Sequence, residues 1–193
     1  MIDKTLTFLK GQVNKHLKTL YPTLEDKVVL SNIVDLDQSD TVGLPENRVV
    51  LSLIYIEEER LYKAQETFHR ATDGNLVQAR PELRFNLYVL FAAHFNNNNY
   101  GEALKFLSQI LKYFQGNPVF DAQSNPSLDP EIKRLVVELY TQPMDQQSQL
   151  WQALGGKFLP SIMYKLRLLS INSKESQGNL DPIGSMGISP NIN

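Results

Sequence analysis

Lys165 and Arg167 stand two residues apart in the stretch "PSIMYKLRLLSI", Pro160–Ile171. Residues i and i+2 of a strand share a face. Two cations on one face mean that this face meets water, a charged partner or a ring neighbour; solvent is the default reading, and Lys165 and Arg167 are the candidate residues should it be an interface. The other chemistry-bearing residues are scattered. His16, His69 and His94 have no second histidine or carboxylate at a ligand spacing, so each reads as a surface or boundary residue and no metal site is expected. Gly155-Gly156-Lys157 lacks the upstream glycine of a phosphate loop and has Phe158 where a metal-binding Ser or Thr belongs, so it reads as a helix C-cap. Glu57, Glu58 and Glu59 form a carboxylate run without a partner motif and read as a solvated strand end. Trp151, the one tryptophan, has helical spacing to Leu150 and Leu154 and reads as core. No Gly-x-Ser-x-Gly elbow occurs. Neither catalysis nor a cofactor is expected from these residues.

Composition narrows the classes further. The chain is 42% hydrophobic and 21% charged over 193 residues, enough for one domain with a core and ordinary for a soluble protein. Its net charge of −2 gives no general pull toward nucleic acid or an anionic membrane. There are no cysteines, which removes disulfides and thiolate chemistry together. The longest uninterrupted apolar run, Leu87–Ala93, is too short to span a bilayer, and lysines interrupt any secretory leader in the first residues.

The elements that position these residues follow from periodicity. Ile2, Leu6, Leu9, Val13, Leu17 and Leu20 recur at three and four, predicting an amphipathic helix over 2–21 that Tyr21-Pro22 ends. Strands are predicted at Lys27–Val34 and Arg48–Glu57, placed to form a long hairpin. Glu58–Glu82 shows no period and is read as an irregular excursion with a turn at Thr72–Asn75. A third strand, Leu83–Ala93, is apolar on both faces, as a strand covered on both sides should be.

After four asparagines, Asn96–Asn99, a helix carries Ala103, Leu104, Leu107, Ile110, Leu111 and Phe114. Asn99 and Glu102 have capping-box spacing, and Gly116 and Pro118 should close the helix. Pro118–Pro130 reads as a loop, Glu131–Tyr140 as a fourth strand, Pro143–Leu154 as a short helix and Ser161–Ile171 as a fifth strand. Residues 172–193 are rich in Asn, Ser, Gly and Pro and read as a flexible or extended arm after a 1–171 domain. The order α-β-β-β-α-β-α-β predicts an α+β fold, a mostly antiparallel or mixed five-stranded sheet flanked by helices.

Five pieces in consistent order carry a family resemblance. They are the Asn-Leu-Tyr-x-Leu strand (Asn86–Leu90), the Asn-Tyr helix start (Asn99, Tyr100), the Tyr-Phe-Gln ending (Tyr113–Gln115), Leu-Trp-x-x-Leu-Gly (Leu150–Gly155) and Pro-Ser-x-x-Tyr-Lys-x-Arg (Pro160–Arg167). Together with the first helix and "VVLSNI", Val28–Ile33, they make residues 1–171 resemble the N-terminal domain of the cap, or tail-terminator, proteins of phage-tail-like extracellular contractile injection systems.

The resemblance implies a tail-terminator-like fold and a structural, non-enzymatic role. Such caps form a homo-hexameric ring on the end distal to the baseplate, with inner-tube and sheath proteins as partners and no nucleic acid or membrane among them. They fix the length of the tail and stabilise the extended sheath. Assembly in the bacterial cytoplasm, as part of a particle that is then released, is implied with it. Longer family members carry further material after this domain. Another connector or adaptor of a phage-tail-like assembly is the alternative reading.

Overall fold

The computed structural model describes residues 1–22, 25–33, 46–59, 67–70, 76–79, 84–155 and 158–170. The predicted Thr72–Asn75 turn and the 172–193 arm lie outside them.

The first helix, α1 (Ile2–Leu20), buries Leu6, Phe8, Leu9, Val13 and Leu17. Each such side chain contributes about 1.5–3 kcal/mol relative to exposure. That outweighs the roughly 1 kcal/mol that Gly11 costs in mid-helix. Leu20, expected on the apolar stripe, is exposed. Tyr21 leaves helical geometry, and its N–H closes on the Leu17 carbonyl at 2.8 Å. The second helix, α2 (Tyr100–Gly116), buries Ala103, Phe106, Leu107, Ile110 and Phe114, while Leu104 and Leu111 of the predicted stripe are exposed. The two helices meet where the Tyr113 hydroxyl donates to Gln12 Oε1 at 3.2 Å and the Tyr113 ring lies 5.0 Å from that of His16.

Both helices cover the inner face of a six-stranded sheet. Its strands are β1 (Val28–Leu30), β2 (Arg48–Glu58), β5 (Arg84–His94), β6 (Val119–Asp121), β7 (Ile132–Leu139) and β8 (Ser161–Ser170), in spatial order β1-β2-β5-β8-β7-β6. A separate antiparallel pair joins β3 (Thr67–Arg70) to β4 (Leu76–Ala79). The α+β class and the mixed sheet are as predicted, with three differences. β6 adds a sixth strand inside the stretch read as a loop, where Phe120 supplies one buried anchor and packs edge-on against Phe8 at 5.3 Å. The "irregular" segment holds β3 and β4, strands too short for a period to show; His69 lies in β3.

The third difference concerns β1, which pairs with β2 in parallel rather than as a hairpin. Asn14 of α1 binds the edge of β1 that faces away from β2. Its amide donates to the Val28 carbonyl and accepts from the Val28 N–H, both at 2.9 Å, so it occupies both polar groups of an edge-strand residue. Arg48 adds a bond to the Asp26 carbonyl and one to Glu25 at 2.8 Å, tying the approach to β1 onto the start of β2.

Side chains alternate along β8, as the shared face of Lys165 and Arg167 requires. Tyr164, Leu166 and Leu168 enter the inner core with Leu87, Val89 and Phe91 of β5. Burial pushes the Tyr164 hydroxyl up to about 12. Its ring lies 4.9 Å from Phe114 and 5.9 Å from Phe91, tying α2 to the centre of the sheet. The asparagine run is a turn, but its capping differs. Asn96 caps a 3-10 turn (Asn97–Asn99) by accepting from the Asn99 N–H at 3.2 Å. Asn99 makes no side-chain cap; its amide instead donates to Asn47 Oδ1 at 3.0 Å, across the sheet end. At the other end of α2, Asn117 rather than Gly116 supplies the C-cap, its amide reaching the Tyr113 carbonyl at 3.0 Å.

Candidate interaction face

The outer face of the sheet divides in two. The third helix, α3 (Met144–Ala153), covers one half. Trp151 is 3% exposed there and packs with Ile33, Val50, Leu90, Ala92 and Met163 in a second, smaller core. Leu154 and Gly155 end this helix: Gly155 has φ +67°, and its N–H reaches the Gln152 carbonyl at 3.1 Å, as the C-cap reading requires. Gly156 and Lys157 lie outside the described residues.

Among the described residues no helix covers the other half of the outer face, and mostly polar side chains line up across it in register. Tyr55, Tyr88, Lys165 and Glu138 form one row across β2, β5, β8 and β7. Glu57, Asn86, Arg167 and Val136 form the next, and Arg84, Leu169 and Arg134 the third. Glu57 Oε2 accepts from the Tyr88 hydroxyl at 2.8 Å and from Asn86 Nδ2 at 3.1 Å, and lies 3.6 Å from Lys165 Nζ. The Tyr88 bond, then Asn86, then the ammonium hold the Glu57 carboxyl below the usual carboxylate value. Burial and the same hydrogen bond push the Tyr88 hydroxyl up. Burial works against the charge on Lys165, but Tyr88 and Glu57 outweigh it and raise the ammonium. Lys165 Nζ also sits 5.5 Å from the centre of the Tyr88 ring. Arg167 Nη1 donates to Glu138 Oε1 at 3.1 Å, and its Nη2 lies 3.8 Å from Glu59 Oε1.

Lys165 and Arg167 therefore do share an open face, and in-chain carboxylates and a tyrosine ring already meet them. Glu57 and Glu59 are not merely a solvated strand end, since with Glu138 they supply the anions of this network. Sequence reasoning missed Glu57, Tyr88, Asn86 and Glu138 as members. Tyr88 and Asn86 have the right parity in β5 and the other glutamates the right charge, but the strand order that brings them together is not written in any local pattern.

The remaining candidates do not converge. His16 lies against Tyr113, and His94 ends β5 with its Nδ1 buried. Among the described residues no group of three or more His, Asp or Glu is arranged to hold a metal, and no helix is long and apolar enough to cross a membrane.

Residues 4–184 match the family model described as the Pvc16 N-terminal domain. The chain belongs to this family. The match runs past residue 171 into the stretch read as an arm, and it bears out the resemblance carried by Asn86–Leu90, Leu150–Gly155 and Pro160–Arg167. Among solved structures, the fold is similar to the sheath/tube terminator of PVC, an extracellular contractile injection system, in its extended state. That similarity has a TM-score of 0.52 at 16% identity and covers 94% of this chain and 62% of the terminator. The tube-terminating cap of the anti-feeding prophage matches with a TM-score of 0.49 at 15% identity, over 83% of this chain and 57% of the cap. This Pvc16 N-terminal domain chain thus spans less than two thirds of the length of either structure. No curated protein matches it.

Proposed function

We propose that this chain is a structural cap, a terminator that closes the end of the tube and sheath of a contractile injection particle. Membership of the Pvc16 N-terminal domain family over residues 4–184 carries the reading. The fold supports it. One face of the sheet is sealed by α1 and α2, and among the described residues half of the other face carries a polar network that suits contact with neighbouring subunits. Such a cap forms a homo-hexameric ring by heterologous contacts between two different patches of each subunit. It seats on the last tube layer, engages the last sheath layer, fixes tail length and stabilises the extended sheath. Lys165 and Arg167 belong to the surface that meets a neighbour or the tube. The chain is assembled into the particle inside the bacterium before release.

Electron microscopy of particles from a strain lacking the gene tests this. Sheath and tube of uncontrolled length, or sheath lost from the tube, is the expected result. Particles of normal length and stability overturn the cap reading.

A further inference from the structure

At the end of the open face, Glu59, Arg84, Arg134, Val136, Arg167, Leu168 and Leu169 line a cleft of about 360 Å³. Its architecture follows from register. Leu169 of β8 stands between Arg84 of β5 and Arg134 of β7. Strands are about 4.8 Å apart, so the two arginines flank the leucine at one strand spacing on either side. Arg167 is two residues back on the same face, about 6.7 Å along the strand. Three guanidinium groups thus surround an apolar floor, against one lining carboxylate, Glu59.

We infer that this cleft seats one or two carboxylate side chains from an acidic segment of a neighbouring protein subunit. Charge complementarity selects the occupant. A guanidinium is planar and presents five N–H donors in a fork that matches a carboxylate. The inference needs no arginine to be idle, because Arg167 already serves Glu138 and Glu59 and still offers further donors. The floor of Leu169 and Val136 fits the methylene stem of a glutamate. An extended polyanion such as a nucleic acid is disfavoured, because the next rows of the face present Glu57 and Glu138 to its phosphates. This deepens the interface reading above and shifts its centre from Lys165 to the cleft lined by Arg84, Arg134 and Arg167.

The test uses the isolated chain, so it can fail without the cap reading failing. Backbone chemical shifts are followed while a Gly-Glu-Leu-Glu-Gly peptide is added at low salt, with Gly-Gln-Leu-Gln-Gly as its neutral counterpart. The expected result is saturable movement of Arg84, Arg134, Arg167 and Leu169 with the acidic peptide alone. Binding should weaken about tenfold in R84Q/R134Q, as loss of charge-assisted hydrogen bonds implies. Arg134 is exposed, so R134Q alone keeps the test available if the double variant misfolds. A K15Q variant on α1 should bind as the parent does. Equal response to both peptides, unchanged binding in R134Q, or stronger movement of the same residues by single-stranded DNA overturns the inference.

Discussion

Tyr88 donates its hydroxyl proton to Glu57 Oε2 at 2.8 Å, and a β-bulge makes that contact possible. Leu53 pairs with Val89 and Tyr55 with Tyr88, so β2 carries one extra residue, Ile54, between them. Strict alternation from Leu53 would send Tyr55 and Glu57 to the inner face. The extra residue turns both outward, where Tyr55 meets the Tyr88 ring at 5.8 Å and Glu57 reaches Asn86, Tyr88 and Lys165. A local irregularity in one strand thus assembles a charge network across three.

The pH dependence of stability should register this network. The Glu57 carboxyl is held below its ordinary value of 4.5, first by Tyr88, then by Asn86 and Lys165. A group with a depressed folded-state value contributes stability above its unfolded value and loses it as pH falls through the folded one. The stability difference between the parent and Glu57→Gln should therefore be constant at neutral pH and shrink as pH drops below 4.5. Urea denaturation of both proteins at a series of pH values checks this. A difference that grows on acidification is the contrary result.

Much of the fold was legible because its signals are local. The α1 stripe, the two-faced apolar run of β5 and the alternation of Tyr164, Lys165, Leu166 and Arg167 each lie within one element. What was not legible depends on partners far apart in the chain. The bulge at Ile54 appears in no residue type. The parallel pairing of β1 joins segments that no local pattern aligns, and Asn14, which bridges to Val28, gives no hint of that bridge in its helical setting. Asn99 carries the right residue for a cap, yet it is used on Asn47 instead. The candidate face was half legible for the same reason: Lys165 and Arg167 announce their shared face, but Glu57, Tyr88 and Glu138 join it only through strand order.

Asn14 should be among the costliest polar residues to remove. It is 4% exposed and satisfies both backbone groups of Val28. Asn14→Leu keeps a similar side-chain size but leaves a buried donor and acceptor without partners, at about 1–3 kcal/mol each. Denaturation should show a loss of about 2 kcal/mol or more. Hydrogen exchange should show faster opening at Val28 and at Val49, whose N–H bonds the Lys27 carbonyl at 2.8 Å. Unchanged exchange there would mean that α1 and β1 are held together by apolar contacts alone.

Gly11 offers the opposite sign. It sits inside α1 on the exposed side, and a Cβ built there meets nothing within 4 Å. No close approach demands glycine, so only its entropic cost remains. Gly11→Ala should stabilise the isolated chain by about 0.5–1 kcal/mol. Thermal and urea unfolding measure this directly. A destabilised Gly11→Ala chain would show that the open space beside α1 is not available to a methyl group.

The Lys165–Glu57 pair decides how the proposed interface can be probed at all. Reversing Lys165 to Glu places a second carboxylate beside Glu57, 3.6 Å from where the ammonium stood, and removes the cation over the Tyr88 ring. Lys165→Glu should therefore lower the chain's own stability. Any assembly defect in that variant then mixes folding with docking. The exchanged pair, Glu57→Lys with Lys165→Glu, should recover part of the lost stability, because opposite charges again face each other. Comparing the two single variants, the exchange and the parent by urea denaturation isolates the coupling. Assembly of the exchanged protein into particles then reports on docking alone: recovered folding with failed assembly places a partner on this side of the face. Recovered folding with normal assembly moves the partner contact elsewhere, to the arginine cleft around Leu169 or off the face altogether.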